Sequence, residues 1–571
     1  MAWYDEAIFY HIYPLGLTGA PKENPYSTPE HRLNTLLPWI SHIKELGCNA
    51  IYIGPLFESV GHGYETTDYK KLDSRLGTNE DLTDFVKECH AQGIRVILDG
   101  VFNHTGRDFF AFQDIKTNRE NSPYKEWYCN VNFWCNNEYN DGFSYENWGG
   151  YNLLAKLNQN NPAVKDYICD VIRFWVSEFD IDGIRLDAAD VLNFEYMQTL
   201  RRVANEVKPD FWLMGEVIHG DYNRWVNEGT LHSVTNYHLH KALYSGHNDH
   251  NYFEIAHTVK RLYEMGGNRP EGLKLYNFVD NHDVERIYTK LSDKAHYTPV
   301  HILLYTLPGV PSIYYGSEFG IEGKKEQFSD DSLRPKLKLS DFGNALTDNP
   351  CTRLLATLGR IRQTTPSLSY GDYKELLLTN RQYAFSRTHS GNTVLITVNN
   401  DGSDYVMTLP CRNNAQYKGL LYGEIVSVTN GQLTANVRAN GGEIWVPLTE
   451  DISTSLPDAD TLSAPKADFP TEPPCGDDSE DWFFDSAFIT NPEQDAVTHS
   501  CSDASEQTHA SEQPASPLSS EESFEKGKIA GLQEAILAIM EKKGPVTEQM
   551  RRDVYNNTHH DSLVNWVKSF Y

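Results

Sequence analysis

The stretch VKDYICDVIRFWVSEFDIDGIRLD, residues 164–187, changes its period in the middle. In its first part Ile168, Val171, Ile172 and Trp175 recur at the three- and four-residue spacing of one helix face. After Phe179 the chain turns within a few residues into 183–187, an apolar run too short for a helix, and that run ends on the carboxylate of Asp187. A helix feeding a short strand is the repeating unit of a parallel α/β fold.

The same unit recurs in both directions. Short apolar runs occupy 8–13, 50–55, 96–102, 183–187, 211–217, 233–237, 273–280 and 312–315, with helical runs between them. One of these, 32–46, places Leu33, Leu36, Leu37, Ile40 and Ile43 on one face. Eight strands alternating with helices predict an α/β class (β/α)8 TIM barrel over residues 1–365 rather than a doubly wound sheet. Residues 105–150 break the rhythm with a polar, aromatic, irregular segment, predicted to form a small lobe inserted after strand three. Residues 366–450 change to short alternating runs such as QYAFSRT and TVLITVNN, separated by the turn signals NDG, TNGQ and ANGG, which predicts an antiparallel β-sandwich. Residues 451–522 are rich in Ser, Pro, Asp and Glu and read as a disordered acidic linker. In 523–571, Ile529, Leu532, Ile536, Ile539 and Met540 form one helical stripe and Leu563, Trp566, Val567 and Phe570 a second. Two short helices cannot bury a core alone, so this tail is expected to self-associate or to dock on a partner.

The net charge of -29 argues against nucleic acid and anionic membranes as partners. Most of it is local: 451–525 holds 18 acidic residues and one basic residue, leaving -12 for the rest of the chain. No run approaches the roughly 18 apolar residues of a membrane span, and the N-terminal residues lack the pattern of a secretory leader. Nine cysteines, none at zinc-finger spacing, read most simply as free thiols in a cytoplasmic chain.

In such a barrel the chemistry sits at the C-terminal ends of the strands. Strand three ends DGVFNH, giving Asp99, Asn103 and His104. Strand four ends on Arg185 and Asp187, strand five on Glu216, and strand seven on Asp280, His282 and Asp283. Arg185 lies two residues before Asp187, so strand periodicity turns both toward the barrel interior. Converging carboxylates of this kind suit glycosidic bond cleavage with retention. One attacks the anomeric carbon, and another protonates the departing oxygen and later activates water. The acid must titrate above the nucleophile, and a neighbouring Arg keeps the nucleophile ionised.

DGVFNH, GIRLDAAD, GEV and FVDNHD, in this order, resemble the four signature regions of the α-amylase family of glycoside hydrolases. GHGYETTDY at 61–69, LAKLN at 154–158 and GVPSIYYGSE at 309–318 are further matches, and the resemblance extends over residues 1–450. It implies Asp187 as nucleophile, Glu216 as acid/base and Asp283 as transition-state stabiliser. It implies that His104, Arg185 and His282 hold the sugar at the cleavage point, with Tyr64 stacked on its face and Asp330 and Arg334 gripping the next glucose. Asp99 and Asn103 would brace the site. No cofactor is required by this chemistry, although Asn103 is a calcium ligand in many relatives.

LAKLNQNNPAV, FFAFQDI and EFDIDGIRLD, with His219 after the acid/base, are similar to the neopullulanase and cyclomaltodextrinase branch. That branch commonly has an N-terminal β-domain, whereas the barrel pattern here starts almost at residue 1, and it has Asn-Glu where this chain has Asp190-Val191. The expectation is a hydrolase of α-1,4 links in maltooligosaccharides or cyclodextrins. The alternatives are a 4-α-glucanotransferase using the same site and a non-catalytic glucan-binding or scaffold protein.

Overall fold

The computed structural model describes residues 2–267, 272–327, 329–411, 416–448 and Ile536. The linker expected at 451–522 and, apart from Ile536, the helical tail expected at 523–571 lie outside the described residues. So does the docking expected of that tail.

Eight parallel strands form one sheet. They are β1 (Phe9–Ile12), β2 (Ala50–Ile53), β3 (Arg95–Gly100), β4 (Gly183–Leu186), β5 (Trp212–Gly215), β6 (Ser233–Val234), β7 (Tyr276–Asn277) and β8 (Val310–Tyr314). The order β6-β5-β4-β3-β2-β1-β8-β7 brings the two ends together. A parallel bridge between Thr235 and Tyr276 nearly closes the ring as a barrel. β1 to β5 and β8 are buried along almost their whole length, as expected for strands covered on both faces.

Side-chain parity divides each strand. Phe9, Ala50, Tyr52, Ile97, Trp212, Met214, Tyr276 and Val310 form one cluster inside the barrel, where Phe9 stacks on Trp212 with ring centroids 5.0 Å apart. The alternate residues, among them Tyr10, Ile51, Val96, Leu98, Ile184 and Leu213, pack in the outer cluster with the helices. Continuing the inner parity by two residues reaches Asp99, Arg185 and Glu216. The period-two backbone thus lifts these polar groups onto the rim of an apolar stack.

Helix Pro162–Phe179 matches its apolar stripe, with Val164, Ile168, Val171, Ile172, Trp175 and Phe179 buried. Pro162 stands in its first turn, and the Asn161 side chain caps Ala163 N. The run 32–46 is instead split into a 3-10 turn, Arg32–Leu36, and a helix, Leu37–Glu45. Pro38 has no N–H to donate into a preceding turn, so it stands in the first turn of the α-helix.

The inserted segment is more regular than its composition suggests. It contains helix Phe110–Asn118 and a three-stranded sheet of His104–Thr105, Tyr151–Lys156 and Asn147–Trp148. The returning strand pairs His104 with Lys156, so the lobe structure runs on beyond residue 150.

The C-terminal part is antiparallel. A six-stranded sheet runs in the order Lys374–Leu378, Gln382–His389, Asn392–Asn399, Gly441–Pro447, Gln416–Gly419, Ile425–Ser427. An antiparallel pair, Tyr405–Pro410 with Gln432–Val437, alternates exposed and buried residues. Its inner residues Met407, Leu409 and Val437 pack on Ala384 of the larger sheet, which makes the two layers a sandwich. Among the described residues Cys48, Cys89, Cys129, Cys169, Cys351 and Cys411 are free thiols. Among the described residues no helix is long and apolar enough to cross a membrane.

Candidate active site

Arg185 organises the rim. It lies opposite Asp99 in the β3–β4 ladder. Its Nη1 donates to Asp99 Oδ1 at 2.9 Å and to Asp187 Oδ1 at 2.9 Å, and its Nη2 lies 2.8 Å from Glu216 Oε2. One planar guanidinium therefore touches three of the expected residues, using the separated donors that an ammonium lacks. Gly54, at the end of β2, lets Asp99 come this close: a Cβ there would stand 2.4 Å from Asp99 Cβ.

Backbone bonds fix the two carboxylates just past their strands. Asp187 N donates to Gly100 O at 3.1 Å, and Glu216 N to Leu186 O at 2.9 Å. The residue after Asp187, Ala188, is left-handed (φ 45, ψ 46), which aims its N–H at Glu216 Oε2, 3.1 Å away. The loop after Asp187 therefore also orients Glu216.

The other expected residues fall into a second group around His282. Tyr64 donates or accepts a short hydrogen bond with His282 Nε2 and lies nearly parallel to that ring, with centroids 5.9 Å apart. His282 Nε2 is 3.1 Å from Asp283 Oδ2. Arg334 donates to His282 O at 3.0 Å and to Asp283 Oδ1 at 2.8 Å, and pairs with Asp330 at 3.2 Å. The Asp330–Arg334 pair is thus joined directly to Asp283. The Tyr64 hydroxyl, 3.4 Å from Asp99 Oδ2, links this group to the first. His104 lies on the lobe side, with its ring 6.3 Å from that of Trp148. Asp280 is an anchor: its Oδ2 accepts from Ile287 N and Ser317 Oγ, both at 2.8 Å.

Charge in this setting follows from burial. Burial pushes the carboxyls of Asp187, Glu216 and Asp99 above their ordinary range, Arg185 pulls all three down, and neighbouring carboxylates push them up again. One guanidinium thus faces three buried carboxyls. Asp99 also accepts from Tyr52 Oη at 2.8 Å, which favours its ionised form. Asp187 holds Arg185 directly. Glu216 meets the same guanidinium through Oε2 at 2.8 Å, and its Oε1 faces the Tyr237 hydroxyl at 3.4 Å; burial pushes both carboxyls up. Burial, then His62, pushes His104 down to about 3, and burial, then Arg334 and Arg185, pushes His282 well below the usual imidazole value. Both rings are neutral at pH 7. His104 Nε2, His282 Nδ1 and Trp148 Nε1 have no hydrogen-bond partner among the described residues. Buried polar atoms in this state suit a polar ligand.

Tyr52, Tyr237, Tyr13 and Trp148 belong to this neighbourhood and were not anticipated. Tyr13 is nearly parallel to His282 at 5.7 Å and lies under the Arg334 guanidinium at 4.7 Å. Tyr52 could have been found by continuing the inward parity of β2 from Ala50. Trp148 arrives through the lobe sheet and left no local signal.

Asn103 does not present a cation site. Its Oδ1 accepts from Gln159 Nε2 at 3.1 Å, so the side chain facing it presents a donor and not a second oxygen ligand. Among the described residues no three His, Cys, Asp or Glu side chains converge as metal ligands. The residues present do not fit the ion.

Comparison with known proteins gives a consistent picture. The alpha amylase catalytic domain matches residues 33–345, and the alpha-amylase C-terminal domain matches residues 371–445. A cyclomaltodextrinase from a Bacillus species is 31% identical over 450 residues, covering 75% of this chain and 78% of that protein. Neopullulanase 2 of Thermoactinomyces vulgaris is 30% identical over 470 residues, covering 77% and 78%. A solved cyclomaltodextrinase superposes with a TM-score of 0.69 at 26% identity over 78% of each chain.

Proposed function

Since this chain belongs to the α-amylase family of glycoside hydrolases, we propose that it cleaves α-1,4-glucosidic bonds of maltooligosaccharides and cyclodextrins with retention. The observation that carries this reading is the single Arg185 guanidinium shared by Asp99, Asp187 and Glu216. It holds one carboxylate ionised beside another that can keep a proton, the pairing that a two-step displacement needs.

Asp187 attacks the anomeric carbon as the glycosidic C–O bond breaks, and Glu216 passes its proton to the departing oxygen. The Glu216 carboxylate then takes a proton from water, whose oxygen replaces Asp187 at the anomeric carbon and regenerates both groups. Asp283, oriented by His282 and Arg334, bonds to hydroxyls of the distorted sugar. His104 and His282, being neutral, donate or accept without placing a full charge beside the oxocarbenium-like centre. Tyr64 covers the sugar face, and Asp330 and Arg334 reach the next unit. No step passes through a metal. The name of one relative, cyclomaltodextrinase, favours cyclic glucans among the substrates.

Maltoheptaose, β-cyclodextrin, pullulan and starch, each incubated with the whole chain and resolved over time, test this reading. Shorter sugars from maltoheptaose and opened β-cyclodextrin are expected. Failure of the folded protein to cleave any of the four overturns it, and products longer than the starting sugar show that a sugar hydroxyl replaces water. Asp187→Asn should abolish turnover, because an amide cannot form the covalent intermediate; a working variant would displace Asp187 from its assigned role.

A further inference from the structure

Gln159 is the first residue after the LAKLN segment that leads out of the lobe, and it is 6% exposed. Both ends of its carboxamide are used. Nε2 donates to Asn103 Oδ1 at 3.1 Å, and Oε1 accepts from Asn193 N at 2.7 Å. Asn103 follows β3 and precedes His104, and its carbonyl accepts from Leu157 N at 2.9 Å. Asn193 ends the loop that starts at Ala188. Its Oδ1 caps helix Phe194–Val207 through Tyr196 N at 2.7 Å, while its Nδ2 donates to Asn160 at 3.1 Å. One buried side chain therefore joins three segments: the end of β3, the return from the lobe, and the loop behind Asp187.

A cation at such a junction gathers oxygens from separate segments. A carboxamide does the same with one donor and one acceptor, and needs no ion. We propose that Gln159 is a positioning residue that ties the lobe to the loop behind Asp187 in place of a bridging divalent cation, so that this seam holds without metal. The catalytic part of this inference rests on the reading of Asp187 given above; the metal part does not.

The whole chain, dialysed against EDTA and then given calcium chloride, should show the same Tm in both states, and a Tm that falls on chelation and recovers with calcium overturns the proposal. Gln159→Ala leaves the Asn193 N–H and the Asn103 oxygen unpaired. Its Tm should drop, and its kcat on maltoheptaose should fall about tenfold with KM changed less than about twofold, because the substrate still binds while the nucleophile loop drifts. A lower Tm with wild-type kcat would reduce Gln159 to a structural tie and overturn the positioning role. Gln159→Glu still accepts from Asn193 N but turns a second oxygen toward Asn103 Oδ1. Millimolar calcium chloride should therefore raise the Tm of this variant and not that of the wild type. A glutamate variant indifferent to calcium overturns the claim that the amide occupies a cation position. If the wild type cleaves no glucan, the melting experiments still decide the metal question.

Discussion

Ala188 holds a backbone conformation that its own Cβ resists. Left-handed geometry costs a non-glycine residue on the order of 1–2 kcal/mol, and here it aims an N–H at Glu216. Ala188→Gly should relieve that strain and raise stability by about 1 kcal/mol. Ala188→Val should instead cost about 2 kcal/mol, since a β-branched chain fits this region worst. Because the same atoms orient Glu216, the proposed acid/base, the valine variant should also lose more than about tenfold in kcat. Thermal unfolding and initial rates of both variants check the pair, and equal behaviour would show that the strain has no consequence. Arg185→Lys replaces a fork that meets three carboxylates by one ammonium. A loss of about a hundredfold in kcat is expected, read from maltoheptaose cleavage. At this scale the sequence spoke where period two could be counted. Asp187 and Arg185 share parity, and the acids close otherwise apolar strands. Tyr52 obeys the same parity, but a strand tyrosine carries no chemical signal. Trp148 and Gln159 reach the rim through lobe contacts with no fixed spacing from the strands they meet.

Asp182 does at the other end of β4 what Arg185 does at the rim, with the signs reversed. His90 Nε2 at 2.7 Å, Arg95 at 2.9 Å and Lys208 at 3.0 Å surround it, and Val96 N donates to it at 2.9 Å. These residues join helix Asn79–Ala91, β3 and the segment after helix Phe194–Val207 to the start of β4. Burial alone would raise its pKa, but these bonds and charges outweigh burial and hold it at about 2. A folded-state value below the unfolded one gives stability that is complete above pH 4 and lost as pH falls through 2. The gap corresponds to about 2 kcal/mol. Asp182→Asn should therefore be less stable by about that amount at pH 6, and the difference should narrow as pH falls from 4 toward 2. Urea unfolding at several pH values checks this; a pH-independent difference would mean that packing and not charge is responsible. Elements were legible in proportion to their apolar runs. The expected 273–280 strand shrinks to Tyr276–Asn277, which pair with Val310 and Pro311 of β8. Helix Phe110–Asn118 went unseen because only Ala111, Phe112 and Ile115 are buried on it, too few to mark a period.

A buried arginine, Arg387, joins the sandwich to the barrel, and a second, Arg362, ties the last barrel helix to the turn before β8. Arg387, on the sandwich strand Gln382–His389, donates to Thr306 O at 2.6 Å, at the end of barrel helix Tyr297–Thr306. It also donates to Asp372 O and Gly371 O, both at 2.9 Å. Arg362 donates to Tyr305 O at 2.5 Å and Gly309 O at 2.6 Å, just before β8. The alternation of the sandwich strands was readable from sequence, since an antiparallel sheet with one inner face repeats at two. The seam was not, because an arginine in such a strand reads as a solvent-facing residue, whereas Arg387 is 1% exposed. Helix carbonyls at a C-terminus lack partners within the helix, so these guanidinium groups complete the barrel itself. It follows that the sandwich should not melt independently. Arg387→Met strands three carbonyls in a buried seam and should cost about 3 kcal/mol. Urea unfolding of the variant, followed by tryptophan fluorescence and far-UV circular dichroism, should still give coincident single transitions over the described domains, shifted to lower urea. Two separated transitions would show a barrel that stands without its sandwich, and the seam would then be a contact between independent units rather than part of one core.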